Sequence, residues 1–116
     1  PYGAPELTVQ EVKQKVDAAE AFVWLDVREP NELQRAAIAD LRVVVAPVSR
    51  LSQFQLDGLP EEAQDREAEI VVFCHHGVRS LHVAVFLDQQ GFETLANITG
   101  GIDAWSRERD TSVPRY

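Results

Sequence analysis

Cys74 is the only cysteine in the chain, and it opens the run Cys74-His75-His76-Gly77-Val78-Arg79-Ser80. A strand-like apolar stretch, Ile70-Val71-Val72-Phe73, precedes it, and an apolar segment with the look of a helix, 81–90, follows. An isolated cysteine reads as a small core residue, but this setting changes the reading. The free N–H groups and the dipole at a helix start stabilise an anion, so a thiol placed there can react as a thiolate. Gly77 permits a sharp turn in which successive N–H groups face the sulfur. Arg79 contributes a fixed positive charge, and His75 and His76 add two imidazoles, the side chain that changes charge in the physiological range.

The chemistry such a loop serves is covalent carriage of a group on sulfur. One cysteine excludes an internal disulfide and leaves no second thiol to displace what Cys74 takes up, so the group must leave to an external nucleophile. Metal binding fits poorly: three consecutive residues rarely aim at one ion, and structural zinc sites need four ligands at wider spacing. His82, on the helix, reads as a packed or surface residue. No metal is expected.

Several elements must position this loop. Thr8-Val9-Gln10-Glu11 has the spacing of a capping box and predicts a helix through about Ala18 with Val9, Val12 and Val16 on one face. Phe22-Val23-Trp24-Leu25 predicts a buried strand ending at Asp26. Pro30 predicts a helical turn with Asn31, Glu32 and Leu33. A second strand is expected over 42–46, stopped by Pro47. Next comes a helix over 49–56 with Leu51, Phe54 and Leu56 inward, and another from Pro60 to about Ala68. The third strand is 70–73. The helix 81–90 is apolar on most sides, which predicts a sandwiched position, with Gly91 just past its end. Thr94 to Ile98 predicts a fourth strand, and Gly100-Gly101 turns the chain into a last helix carrying Trp105. The tail from Asp110 reads as irregular. Trp24 and Trp105 read as core. Strands alternating with helices, and apolar on both faces, predict a parallel sheet covered on each side. Ligands of such sheets sit beyond the C-terminal strand ends, where Asp26 and Cys74 both fall.

At 116 residues the chain suits one domain, 1–116, with a single core. Eleven basic against nineteen acidic residues give a net charge of −8, which argues against nucleic acid and anionic membranes as partners. No apolar run approaches bilayer length. The chain starts at Pro1 and contains no methionine, which points to trimming or excision from a longer protein. An unpaired thiol points to a cytoplasmic setting.

Three blocks together resemble the rhodanese-like sulfurtransferase domain. Leu25-Asp26-Val27-Arg28-Glu29-Pro30-Asn31-Glu32 is similar to the family's strand-end signature, Cys74 to Ser80 to its active-site loop, and Gly91-Phe92, Asn97-Ile98 and Gly100-Gly101-Ile102-Asp103-Ala104-Trp105 to its closing strand–turn–helix. The resemblance implies a three-layer α/β/α fold around a five-stranded parallel sheet. It implies Cys74 as the catalytic residue, carrying sulfur as a persulfide, with no metal and no organic cofactor. Its substrate-binding loop would be His75, His76, Gly77, Val78, Arg79 and Ser80, with Asp26 and Arg28 in support. The implied partners are a small-molecule sulfur donor such as thiosulfate and a cyanide or thiol acceptor. A second reading is a persulfide relay to an acceptor protein, and a third a non-catalytic interaction module, against which the intact Cys74 loop weighs. Cysteine phosphatases of related fold place five residues between cysteine and arginine; here there are four, His75 to Val78, a ring suited to one sulfur atom more than to a phosphate. One departure stands out: the family's Gly-His-Ile-x-Gly-Ala run is replaced by Ala36-Ala37-Ile38-Ala39-Asp40-Leu41.

Overall fold

The computed structural model describes residues 4–116. Ten elements follow in chain order: β1 (Glu6–Leu7), α1 (Val9–Asp17), β2 (Val23–Asp26), α2 (Pro30–Leu33), β3 (Val43–Val45), α3 (Val48–Phe54), β4 (Glu69–Phe73), α4 (Val78–Gln89), β5 (Thr94–Ile98) and α5 (Gly101–Glu108). The strands form one five-stranded sheet in the order β1-β5-β4-β2-β3, with every pairing parallel. The residue pattern alone gives four of these strands; β1, only two residues long, carries no periodicity to read.

The period of two along the central strands divides the core. Leu25, Ile70, Val72 and Cys74 face one side and pack with Leu51, Val83 and Leu87 of α3 and α4. Trp24, Val71 and Phe73 face the other and pack with Val9, Val12, Ile102 and Trp105 of α1 and α5. The sheet is therefore covered by helices on both faces.

Local chemistry sets the helix ends. The Thr8 hydroxyl accepts from Glu11 N–H and the Glu11 carboxylate accepts from Thr8 N–H, closing the expected capping box. The helix that follows the Cys74 loop starts at Val78, three residues earlier than the apolar run suggests, because Gly77 at φ +104° is its N-cap. Gly91, at φ +92°, follows its C-cap as expected.

Two expectations fail. The helix from Pro60 is only a 3-10 turn, Glu61–Ala63. The Asp65 carboxylate accepts from Glu67 N–H, a local turn that competes with helix continuation. Phe54 is 47% exposed, so it does not point inward. α3 ends there, and Gln55 at φ +55° redirects the chain so that Leu56, in a second 3-10 turn, packs against the core instead. The departing 36–41 stretch packs through Ala36 and Ile38 onto the α1/α5 side and leaves Leu41 fully exposed. Among the described residues no helix is long and apolar enough to cross a membrane.

Candidate active site

β2 and β4 are neighbours whose onward connections run to opposite edges of the sheet, the place where α/β sheets open a crevice. Asp26 and Phe73 are in register there, and Val27 N–H bonds the Phe73 carbonyl, so Asp26 and Cys74 leave adjacent strand ends.

The Cys74 side chain continues the alternation of β4 toward α4, and the residue is only 1% exposed. Its surroundings are not purely apolar. Gly77 N–H donates to Sγ at 3.1 Å and Ser80 N–H at 3.4 Å, with the Ser80 hydroxyl oxygen 3.3 Å away. Both amides lie at the start of α4, where N–H groups lack intrahelical partners.

Two supports hold the loop in this curl. From β5, Asn97 Nδ2 donates to the Gly77 carbonyl at 3.0 Å and to both Glu6 carboxylate oxygens, while Asn97 Oδ1 accepts from the Ser80 hydroxyl. From α5, Ile102 N–H and Asp103 N–H donate to the Cys74 and His75 carbonyls at 2.9 and 3.1 Å. The loop thus fills the orphan donors of one helix with its own carbonyls while presenting its amides to sulfur. Gly101 makes the junction possible, since a Cβ there would lie 2.4 Å from the Cys74 carbonyl oxygen.

Arg79 does not reach the sulfur as an unpartnered cation. Its guanidinium grips Glu32 with two bonds, at 2.6 and 2.9 Å. This pairing, aided by bonds from Glu29 N–H and the Tyr116 hydroxyl, pulls the Glu32 carboxyl from the usual range down to about 2 against the opposing pull of burial. Glu32 also accepts from Glu29 N–H at 3.1 Å, so it caps α2 and lines the rim at once.

Arg28 does not open onto the site either: it is fully buried and locked to Asp26 through Nε and Nη2 at 3.0 and 2.8 Å, with its own N–H on the same carboxylate. The pair is a buried structural clamp. Arg28 Nη1 donates to the Tyr116 hydroxyl at 3.1 Å, and that hydroxyl donates to Glu32 at 2.8 Å. The tail is therefore irregular but packed, with Val113 buried.

His75 is sandwiched between His76, with centroids 3.9 Å apart, and Tyr116, at 3.8 Å and nearly parallel. Burial, and then the neighbouring His76, push its titration down. His76 and Val78 are exposed on the outer side of the loop, as is His82 on α4. Beside the loop lies a groove of about 240 Å³ lined by Val48, Leu51, Val83, Phe86, His82 and Arg79; Cys74 is not among its walls. Among the described residues, no three His, Cys, Asp or Glu side chains cluster as metal ligands.

Asn97 and Tyr116 are the site residues that residue-by-residue reading missed. Asn97 carried a signal, a polar residue near the end of an otherwise apolar strand. Tyr116 carried none.

The rhodanese-like domain family model matches residues 8–108. A putative sulfurtransferase of Bacillus subtilis, YtwF, is 32% identical over 105 residues, covering 89% of this chain and 91% of that protein. The rhodanese-like/PpiC domain-containing protein 12 of Arabidopsis thaliana, a chloroplastic protein, is 38% identical over 92 residues; the match covers 79% of this chain but 29% of that much longer protein. Among solved structures, a rhodanese-related protein of Thermoplasma volcanium superposes with a TM-score of 0.74 at 29% identity, covering 91% of this chain and 94% of that one.

Proposed function

The chain belongs to the rhodanese-like domain family, and from that premise we propose that it is a sulfurtransferase carrying a sulfane sulfur on Cys74. The observation that supports this most is the pair of main-chain N–H groups, from Gly77 and Ser80, directed at Sγ at a helix start. Preorganised donors stabilise developing negative charge without reorganising at the moment of reaction.

In the first half-reaction the Cys74 thiolate attacks the outer sulfur of a donor such as thiosulfate. A new S–S bond forms, the donor's S–S bond breaks, and its electron pair departs with sulfite. Cys74 is left as a persulfide anion. In the second, cyanide or a thiolate attacks the terminal sulfur, and the electron pair of the breaking S–S bond returns to Cys74.

Ser80 fits a role in both states of the thiol. Its hydroxyl has one proton, given to Asn97 when the oxygen accepts from S–H, and free to swing to Sγ when the sulfur is ionised. The Arg79–Glu32 pair fixes the first turn of α4 against α2 and so holds the Ser80 amide in place. An acceptor approaches past the exposed His76 and Val78. A reduced, cytoplasmic compartment suits an unpaired thiol of this kind.

The test is incubation with thiosulfate followed by intact-mass analysis. Wild type should gain one sulfur atom that cyanide or a thiol removes, and Cys74→Ser should gain none. A stable adduct with negligible cyanide turnover would shift the reading to a persulfide relay serving an acceptor protein. No adduct from thiosulfate or a persulfide donor overturns the assignment and leaves an interaction module.

A further inference from the structure

The Ser80 hydroxyl lies within hydrogen-bond distance of two groups among the described residues, Asn97 Oδ1 and, at 3.3 Å, Cys74 Sγ. It has one proton to give. Whichever group receives that proton decides whether the hydroxyl stabilises the ionised sulfur or the protonated one. We propose that Asn97 is a positioning residue for the thiol, competing with the sulfur for the Ser80 proton and so setting how readily Cys74 ionises. The role rests on the reading of Cys74 as a sulfur carrier, whose thiolate must form before it can attack.

The sense of the Asn97 amide follows from what surrounds it. Nδ2 faces the Gly77 carbonyl at 3.0 Å and both Glu6 carboxylate oxygens at 3.2 Å. All three can only accept, so turning the amide over would set Oδ1 against three acceptors. The Glu6 carboxylate is itself held by the Thr99 hydroxyl, which donates to it at 2.9 Å. Oδ1 is therefore committed to face Ser80, where it too can only accept. Asn97 and Ser80 are 2% and 0% exposed, so bulk water offers neither a substitute partner.

While the sulfur keeps its proton, both needs are met: Ser80 donates to Oδ1, and its oxygen accepts from S–H. Ionisation sends the S–H proton to solvent. The sulfur then gains a third donor only if the Ser80 O–H turns away from Asn97. That turn leaves a buried carbonyl oxygen without a donor, which is unfavourable. The Gly77 and Ser80 N–H groups donate whichever way the hydroxyl points. The hydroxyl is thus the adjustable donor, and residue 97 adjusts it.

Residue 97 should therefore decide what Ser80→Ala does to the thiol. The rate of iodoacetamide alkylation of Cys74, followed against pH in the whole protein, gives the midpoint of ionisation. In the Asn97→Ala background, with no competing acceptor, Ser80→Ala should raise that midpoint by about one pH unit, the tenfold change that loss of a charge-assisted bond brings. In wild type the rise should be clearly smaller. In the Asn97→Asp background, where a carboxylate holds the Ser80 proton more tightly, it should be close to zero. The Arg79–Glu32 pair, Glu6, His75, His76 and Asp103 of α5 surround the loop in every background. They, and the charge that Asn97→Asp adds, are present with and without Ser80→Ala, so each comparison cancels them. A residue that only supports the loop would give equal shifts in all backgrounds, and that result would overturn the proposal. Where one variant at 97 does not fold, the other compared with wild type decides by the same rule. In wild type itself, the ¹H–¹⁵N cross-peaks of the Asn97 side-chain amide should move with the alkylation midpoint, and Ser80→Ala should abolish most of that movement. Signals that stay still through the midpoint, or move equally in both proteins, overturn the proposal whichever variants fold. Both measurements read the thiol alone, so their failure is distinct from a failure to load sulfur from thiosulfate.

Discussion

Replacing Glu32 by Gln keeps the shape of the side chain and removes the charge that Arg79 and the Tyr116 hydroxyl address. The fall of its titration from 4.5 to about 2 sets the scale, since at about 1.36 kcal/mol per pH unit it corresponds to roughly 3.4 kcal/mol. The Arg79 side chain is 37% exposed, so solvent screening reduces this, and we expect a loss of about 1.5 kcal/mol at neutral pH. The sign of the pH dependence follows from the direction. A carboxyl depressed in the folded state stabilises fully above its unfolded value near 4.5 and loses that contribution as pH falls toward 2. Roughly two-fifths of it is gone by about pH 3.5. Urea unfolding of wild type and Glu32→Gln at pH 7 and again near pH 3.5 should therefore show a gap that narrows in acid. A gap of equal size at both pH values, or none at pH 7, would refute the claim that the ionised Glu32–Arg79 clasp holds α2 to α4.

Asp26→Ala strands the fully buried Arg28 without its carboxylate and should cost about 3–5 kcal/mol, read as a large drop in melting temperature; a melt within a degree or two of wild type would show that the clamp is not structural. Gly77→Ala puts a Cβ at φ +104° and 3.2 Å from both Gly100 N and the Ile98 carbonyl oxygen, costing about 1–2 kcal/mol. Because the same residue carries the shorter amide bond to Sγ, its rate of sulfur loading, followed by mass where the variant is still folded, should fall further than its stability does. Loading at the wild-type rate would mean that this amide does not support the thiolate.

What was legible in the sequence was what local chemistry writes locally. The Thr8 capping box, the apolar run from Ile70 to Phe73 and the strand at Thr94–Ile98 each depend on neighbours a few residues away, and each is found where expected. The thiol loop was legible for the same reason, because glycine, strand end and helix start stand within seven residues. The misreadings involve distant partners. Nothing near Arg79 in sequence indicates that Glu32, on α2, holds its guanidinium, and nothing near Tyr116 indicates that its ring lies on His75. Helical spacing puts Phe54 inward only if the helix continues, and it ends at that residue. The Pro60 segment has an acceptable helix start, but Ala63 is its only buried residue, too little apolar contact to hold a helix in place.

Two of the three groups facing the sulfur are peptide N–H groups, and every residue except proline brings one. Substitution can therefore exchange the outward side chains at positions 76 and 78 while the two N–H groups that face the sulfur stay as they are. In this loop the inward contacts belong to the main chain and the outward surface to the side chains, so the two can change separately.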